Sequence, residues 1–184
     1  MHRRYDPVSV FLHWSIGLGI LAIAVLELTR GELFAKGSAM REGLRAIHEP
    51  AGTIIFALVL VRLVWRALHA PPELPETMAA WERFAAKVMH VVLYALMVAI
   101  PVVGMAATFA RGRPVDFGVF QIFVPLDGIL GKSFARPIKE LHEFLGQAVL
   151  AVAFLHAAAA LWHHYVRKDD ILVRMLPTRA SVPR

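Results

Sequence analysis

An all-α, integral membrane four-helix bundle is the fold that the sequence predicts, on three observations. Of the 184 residues 58% are hydrophobic and only 18% charged, outside the range of ordinary soluble domains. Four apolar stretches, at about 8–28, 48–68, 85–110 and 141–166, each reach the roughly 20 residues that a helix needs to cross a hydrocarbon core. Little chain is left over, so residues 1–184 read as a single transmembrane domain.

The first stretch follows Arg3 and Arg4. It is longer than the apolar region of a signal peptide and lacks a clear small-x-small cleavage site, so it is expected to be a mature span. The second runs into Pro-Pro-Glu-Leu-Pro-Glu-Thr at 71–77, a stiff connection that no helix continues through. In the third, Pro101 is expected to kink the helix and Gly104 to allow close packing. The loop 112–137, rich in Gly, Pro and Phe, is expected to lie on the membrane surface before the fourth stretch begins.

Four spans put both termini on one side, here side A, with residues 29–47 and 111–140 on side B. Side A carries ten Lys and Arg and side B nine, so the positive-inside rule does not decide the orientation. Against the nine stand Glu32, Glu42, Asp116, Asp127 and Glu140, leaving side B at +4. That excess either attracts anions or only holds the loops at the headgroups. The overall charge of +6 accompanies no basic stripe with interleaved aromatics, so no nucleic-acid partner is expected. Without cysteine the chain has no disulfide framework, no covalent haem attachment and no cysteine-ligated cluster.

Nine histidines remain to be explained: His2, His13, His48, His69, His90, His142, His156, His163 and His164. An ionisable side chain inside a span is costly and needs a partner. His142 and His156 are 14 residues apart on one helix, about 21 Å along its axis and within about 40° of the same face. Both therefore face the bundle interior, near opposite surfaces. The second and fourth spans start from side B, which levels His48 with His142. His13, early in the first span, approaches the level of His156, with a match looser by about one turn of 5.4 Å.

A second regularity sets these four apart. Gly17, Gly52, Gly146 and Ala160 follow His13, His48, His142 and His156 at four residues, so each imidazole has a nearly bare helix face beside it. A flat macrocycle needs that clearance, although small residues at this spacing are also ordinary close-packing positions. His90 is followed by Tyr94, which fills the equivalent space. The pattern points to two haem b groups, the side-A iron held by His13 and His156 and the side-B iron by His48 and His142. Two imidazoles per iron leave no open coordination position, which favours electron transfer over oxygen chemistry.

Arg62, 14 residues after His48, either faces the side-A haem and pairs with a propionate or snorkels to side A. Glu49 and Glu143 are loop-end charges or supports for the neighbouring histidines. His163 and His164 end the fourth span either as interfacial anchors or as a quinone contact. His90, Trp14 and Arg83 are further side-A candidates for a quinone site.

The chain resembles the bacterial cytochrome b561 family, over nearly its whole length. The resemblance is carried by Tyr5 to Trp14 (YDPVSVFLHW), Ile47-His48, Val61 to Arg66 (VRLVWR), Pro101 to Gly104, Leu155 to Lys168 (LHAAAALWHHYVRK) and Met175-Leu176-Pro177. It implies haem ligands on the first, second and fourth helices, mapping onto His13, His48, His142 and His156. It also implies a bacterial inner-membrane location with both termini cytoplasmic, electron exchange with quinone, and an activity range that includes superoxide oxidation coupled to quinone reduction. An anionic donor would suit the net-positive side B.

Three other functions compete: a haem-bearing anchor for a soluble redox partner, a haem-free proton or metal transporter, and a histidine-cluster diiron enzyme. The last needs several histidines at one depth, where the sequence clusters only His163 and His164.

Overall fold

The computed structural model describes residues 4–75 and 77–177. Four long helices dominate it: α1 (Pro7–Leu33), α2 (Ala39–Leu68), α3 (Ala80–Phe109) and, after a short helix α4 (Asp127–Leu130), α5 (Ala135–Trp162). All four are long and apolar enough to cross a membrane, and at 27 to 30 residues they reach about 40 to 45 Å. Their ends therefore stand beyond a hydrocarbon core about 30 Å thick, which is why the observed helices exceed the expected apolar stretches.

The largest difference is at α2, which begins nine residues before His48. Ser38 caps it by accepting from the Arg41 backbone N–H at 3.3 Å, and Ala, Met, Arg, Glu and Leu in its first turns are strong helix formers. The helix also runs through Pro50, two residues past His48. At α1, Pro7 occupies the first turn, and Asp6 accepts from Ser9 N at 2.9 Å, Ser9 Oγ at 2.6 Å and Trp65 Nε1 at 3.1 Å. One side chain thus caps α1 and ties it to the end of α2.

Partial burial pushes the Asp6 carboxyl up, but the hydrogen bonds from Ser9 and Trp65 outweigh it and hold it below the ordinary 3.8. Because the folded value is depressed, the stabilisation is present above the ordinary value and lost as pH falls through the lowered one. Asp6→Ala is expected to lower stability by about 0.5–2 kcal/mol, read as a lower unfolding temperature in detergent at neutral pH. That deficit should shrink in acid.

α1 packs mainly on α2, and α3 mainly on α5, while α2 meets α3 along a smaller contact. The bundle is therefore two helical hairpins facing one another. Gly19 marks the close approach in the first, since a Cβ there would come within 2.9 Å of Ile55. Leu18, Val25, Val64, Val91, Phe144 and Phe154 are exposed around the outside, the pattern of helices whose solvent is lipid.

On side B the loop after α3 contains a two-residue antiparallel pair, β1 (Val115–Asp116) with β2 (Gln121–Ile122), which the sequence did not announce. Asp116 accepts from Gly118 N at 2.7 Å, and Gly118 takes a φ of 80° that closes the turn. Val119, Phe120 and Phe123 at this turn are exposed, apolar groups suited to a membrane surface. On side A, α5 continues into a π-helical turn, His163–Arg167, ended by Lys168 in the left-handed region. The segment after it folds back on α1: Arg4 donates to Val173 O and Trp14 Nε1 to Met175 O, each at 2.7 Å. The two ends of the described chain therefore meet on one side.

Candidate functional site

The four singled-out histidines come together in pairs, each pair bridging the two hairpins. His48 on α2 faces His142 on α5 with ring centroids 6.0 Å apart and planes at 80°; His13 on α1 faces His156 on α5 at 6.1 Å and 73°. A metal–imidazole bond is about 2 Å and the ring radius roughly 1.1 Å, so two rings on opposite sides of one metal have centroids roughly 6 Å apart. Both separations therefore suit a pair of axial ligands. His13 and His156 reach one another at this separation, within the looser depth match expected from the sequence.

The surroundings fit a flat macrocycle. A Cβ placed at Gly17, Gly52 or Gly146 would meet nothing within 4 Å, so there is open space beside three of the four imidazoles. His142 Nδ1 lies 2.9 Å from Ile100 O; donating there fixes the tautomer and leaves Nε2 for a metal. Gly104 permits this approach, since a Cβ at 104 would sit 2.8 Å from His142 Cε1 and 2.9 Å from its Nδ1. The close packing expected of Gly104 is thus packing against a candidate ligand.

Arg62 is half-buried and reaches across to α1 and α3. It donates to Ser9 O at 2.9 Å and Tyr94 Oη at 3.0 Å, and its third contact, to His13 Nδ1, is a long 3.4 Å. Its fork borders a cavity of about 1500 Å³ open to side A, lined also by Arg4, Ser9, Arg66, Tyr94 and Arg167. Carboxylates such as haem propionates would find several cations there.

Sequence reasoning missed Glu27. Its Oε1 lies 3.0 Å from His48 Nδ1, at an angle short of a formed hydrogen bond, and Arg30 holds the carboxylate from the other side at 2.5 to 3.0 Å. The signal was present: a carboxylate at the end of an apolar span needs a partner. Glu49 and Glu143, by contrast, pair with side-B cations, the largely buried Glu49 with Arg45 and Arg113 at 3.5 Å and the exposed Glu143 with Lys139.

These pairings also correct the charge of side B. Glu27, Glu49 and Glu143 belong to that end of the bundle and offset most of the +4 counted from the loops. Arg111, Arg136 and Lys139 line a shallow pocket of about 380 Å³, where Arg136 is paired with Glu140 and Lys139 with Glu143.

The proposed quinone residues are not gathered into one site. Trp14 is committed to Met175 O, and Arg83 donates to Met78 O at 3.0 Å. His90 lies beside His156, centroids 5.5 Å apart, with its Nδ1 2.6 Å from Ala86 O on its own helix. His163 and His164 are both buried in the π turn. His163 Nδ1 meets Asp169 Oδ2 at 2.5 Å, whereas His164 Nδ1 is buried with no hydrogen-bond partner. Among the described residues no three His, Cys, Asp or Glu side chains converge as a metal-ion site, so nothing here resembles a diiron cluster.

The profile of the family described as prokaryotic cytochrome b561 matches residues 4–178. Cytochrome b561 homolog 1 of Escherichia coli is 32% identical over 179 residues, 96% of this chain and 99% of that protein. A probable superoxide oxidase CybB of Yersinia pestis is 32% identical over 180 residues, covering 97% and 99% of the two chains. Cytochrome b562 of Cereibacter sphaeroides is 26% identical over 182 residues, covering 95% and 96%.

Proposed function

Because the chain belongs to the prokaryotic cytochrome b561 family, we propose that it is a dihaem electron-transfer protein of the bacterial inner membrane, its termini cytoplasmic, passing electrons from an anionic periplasmic donor, superoxide, to quinone. A multi-pass membrane cytochrome b is what the family and the four apolar helices establish; the rest is inferred from the site. The observation that carries it is the pair of imidazole clamps, 6.0 and 6.1 Å apart, at two depths of one bundle.

Haem held by these histidine pairs would supply one-electron chemistry. The chain's own part is binding and orientation. His48 and His142 hold the side-B group, His13 and His156 the side-A group, and Gly17, Gly52 and Gly146 leave the macrocycles room. Arg62 and Arg66 meet propionates on side A. Arg111, beside the Arg136–Glu140 and Lys139–Glu143 pairs, offers an anion a cation on side B, and the name of the Yersinia pestis relative supports superoxide as that anion. For quinone the strongest support is His164, whose buried Nδ1 lacks a partner next to His163 and Asp169.

The test is an absorption spectrum with a haem count on purified, haem-replete protein. Two low-spin haems per chain are expected, and superoxide should reduce them and quinone reoxidise them. A colourless folded protein would refute the proposal and leave the transporter standing. Two haems with no turnover until a soluble protein is added would favour the anchor.

A further inference from the structure

The side-B clamp is built differently from the side-A clamp, and the difference is one of charge. His48 Nδ1 is buried and meets the Glu27 carboxylate at 3.0 Å, and His142 Nδ1 meets the Ile100 carbonyl at 2.9 Å. Both side-B imidazoles therefore face acceptors. On side A the Arg62 guanidinium lies 3.4 Å from His13 Nδ1, a cation that can only donate.

We infer that Glu27 is a positioning residue for the side-B haem: its carboxylate, 3.0 Å from His48 Nδ1, would turn Nε2 toward the iron and make His48 a stronger electron donor. The inference rests on the dihaem function proposed above. Arg30 pins the carboxylate in place, with Nε 3.0 Å from both oxygens, so the negative end of that pair lies against the ring. A carboxylate held beside the other nitrogen of a ligand imidazole makes the ring more basic and favours the ferric iron. A guanidinium beside His13 does the reverse and favours the ferrous iron on side A. The side-B haem thus has the lower potential, and electrons run downhill from side B to side A. Glu27 acts through His48 and needs no contact with either substrate.

Spectroelectrochemical titration of the wild type, Glu27→Gln and Glu27→Asp, with haem counts and electron paramagnetic resonance of the ferric proteins, tests this. His48→Ala, retaining only the side-A haem, assigns the two potentials. Glu27→Gln is expected to keep both haems and move the side-B reduction equilibrium at least tenfold toward the ferrous form, about 59 mV upward for a one-electron couple. The side-A haem should not move, Glu27→Asp should fall between, and the ferric side-B signal alone should change. Selective loss of the side-B haem in Glu27→Gln, restored in Glu27→Asp, also supports the role. Two haems at wild-type potentials in Glu27→Gln, equal shifts in both, or loss of both haems from both variants overturns it. A wild type without porphyrin would instead defeat the dihaem function itself.

Discussion

His142→Ala is expected to leave about one haem per chain in place of two, with the side-A haem spectrum intact. The same result is expected of His48→Ala, because in the proposed pairing the two rings would share one iron and a single imidazole would hold it far less tightly. His13→Ala and His156→Ala should remove the other haem. The effect is large because losing a ligand forfeits a metal bond outright, where altering a group that only supports a ligand costs about 10–100-fold in affinity or activity. The pairwise pattern is what discriminates, since misfolding would strip both haems from every variant. Turnover between superoxide and quinone should fall at least about tenfold in all four, as each removes one of two centres in series. Haem counts showing equal loss in all four folded variants would refute the pairing. His90→Ala is the informative control: His90 lies closer to His156 than His13 does, so retention of both haems would leave His13 as the ligand.

Gly104→Val should produce nearly the same loss at side B from a residue that binds nothing. A Cβ at 104 would lie 2.8 Å from His142 Cε1, and the branches of valine add to the overlap with an imidazole fixed by its bond to Ile100 O. Displacing the ring breaks that bond and removes the tautomer control that frees Nε2. The side-B haem should be lost or turn high-spin while the side-A haem keeps its spectrum, with far-ultraviolet circular dichroism unchanged. Gly146→Leu makes a different point. Nothing lies within 4 Å of a Cβ there, so the protein without haem should tolerate the change, and only the macrocycle would contest the space. Full side-B occupancy in Gly104→Val would show that His142 is not held where the structure places it.

The four helices were legible because membrane spans are written in composition: about 20 consecutive apolar residues mean the same thing in any tertiary context. The histidine pairs were legible for a similar reason. In a bundle of long, nearly parallel helices, position along the chain is depth, and a 14-residue interval fixes both depth and facing. Helix ends were less so, since α2 starts at Ala39 on local propensity and a serine cap rather than on hydropathy. The β1–β2 pair is too short to leave a periodic trace.

The sequence by itself thus determined the membrane class, the number of spans and which histidines share a level. Only the tertiary structure decided what stands behind each imidazole: Ile100 O and Gly104 behind His142, Glu27 behind His48, Arg62 beside His13. It also decided that four side-B cations, Arg30, Arg45, Arg113 and Lys139, pair with carboxylates from the helix ends. The physical reason is the range of the forces. Burial acts on whole segments and needs only the chain's own order, whereas hydrogen bonds and ion pairs are settled within about 3 Å. At that scale the rotation of one helix against another selects the partner, and nothing in the order of residues along the chain records it.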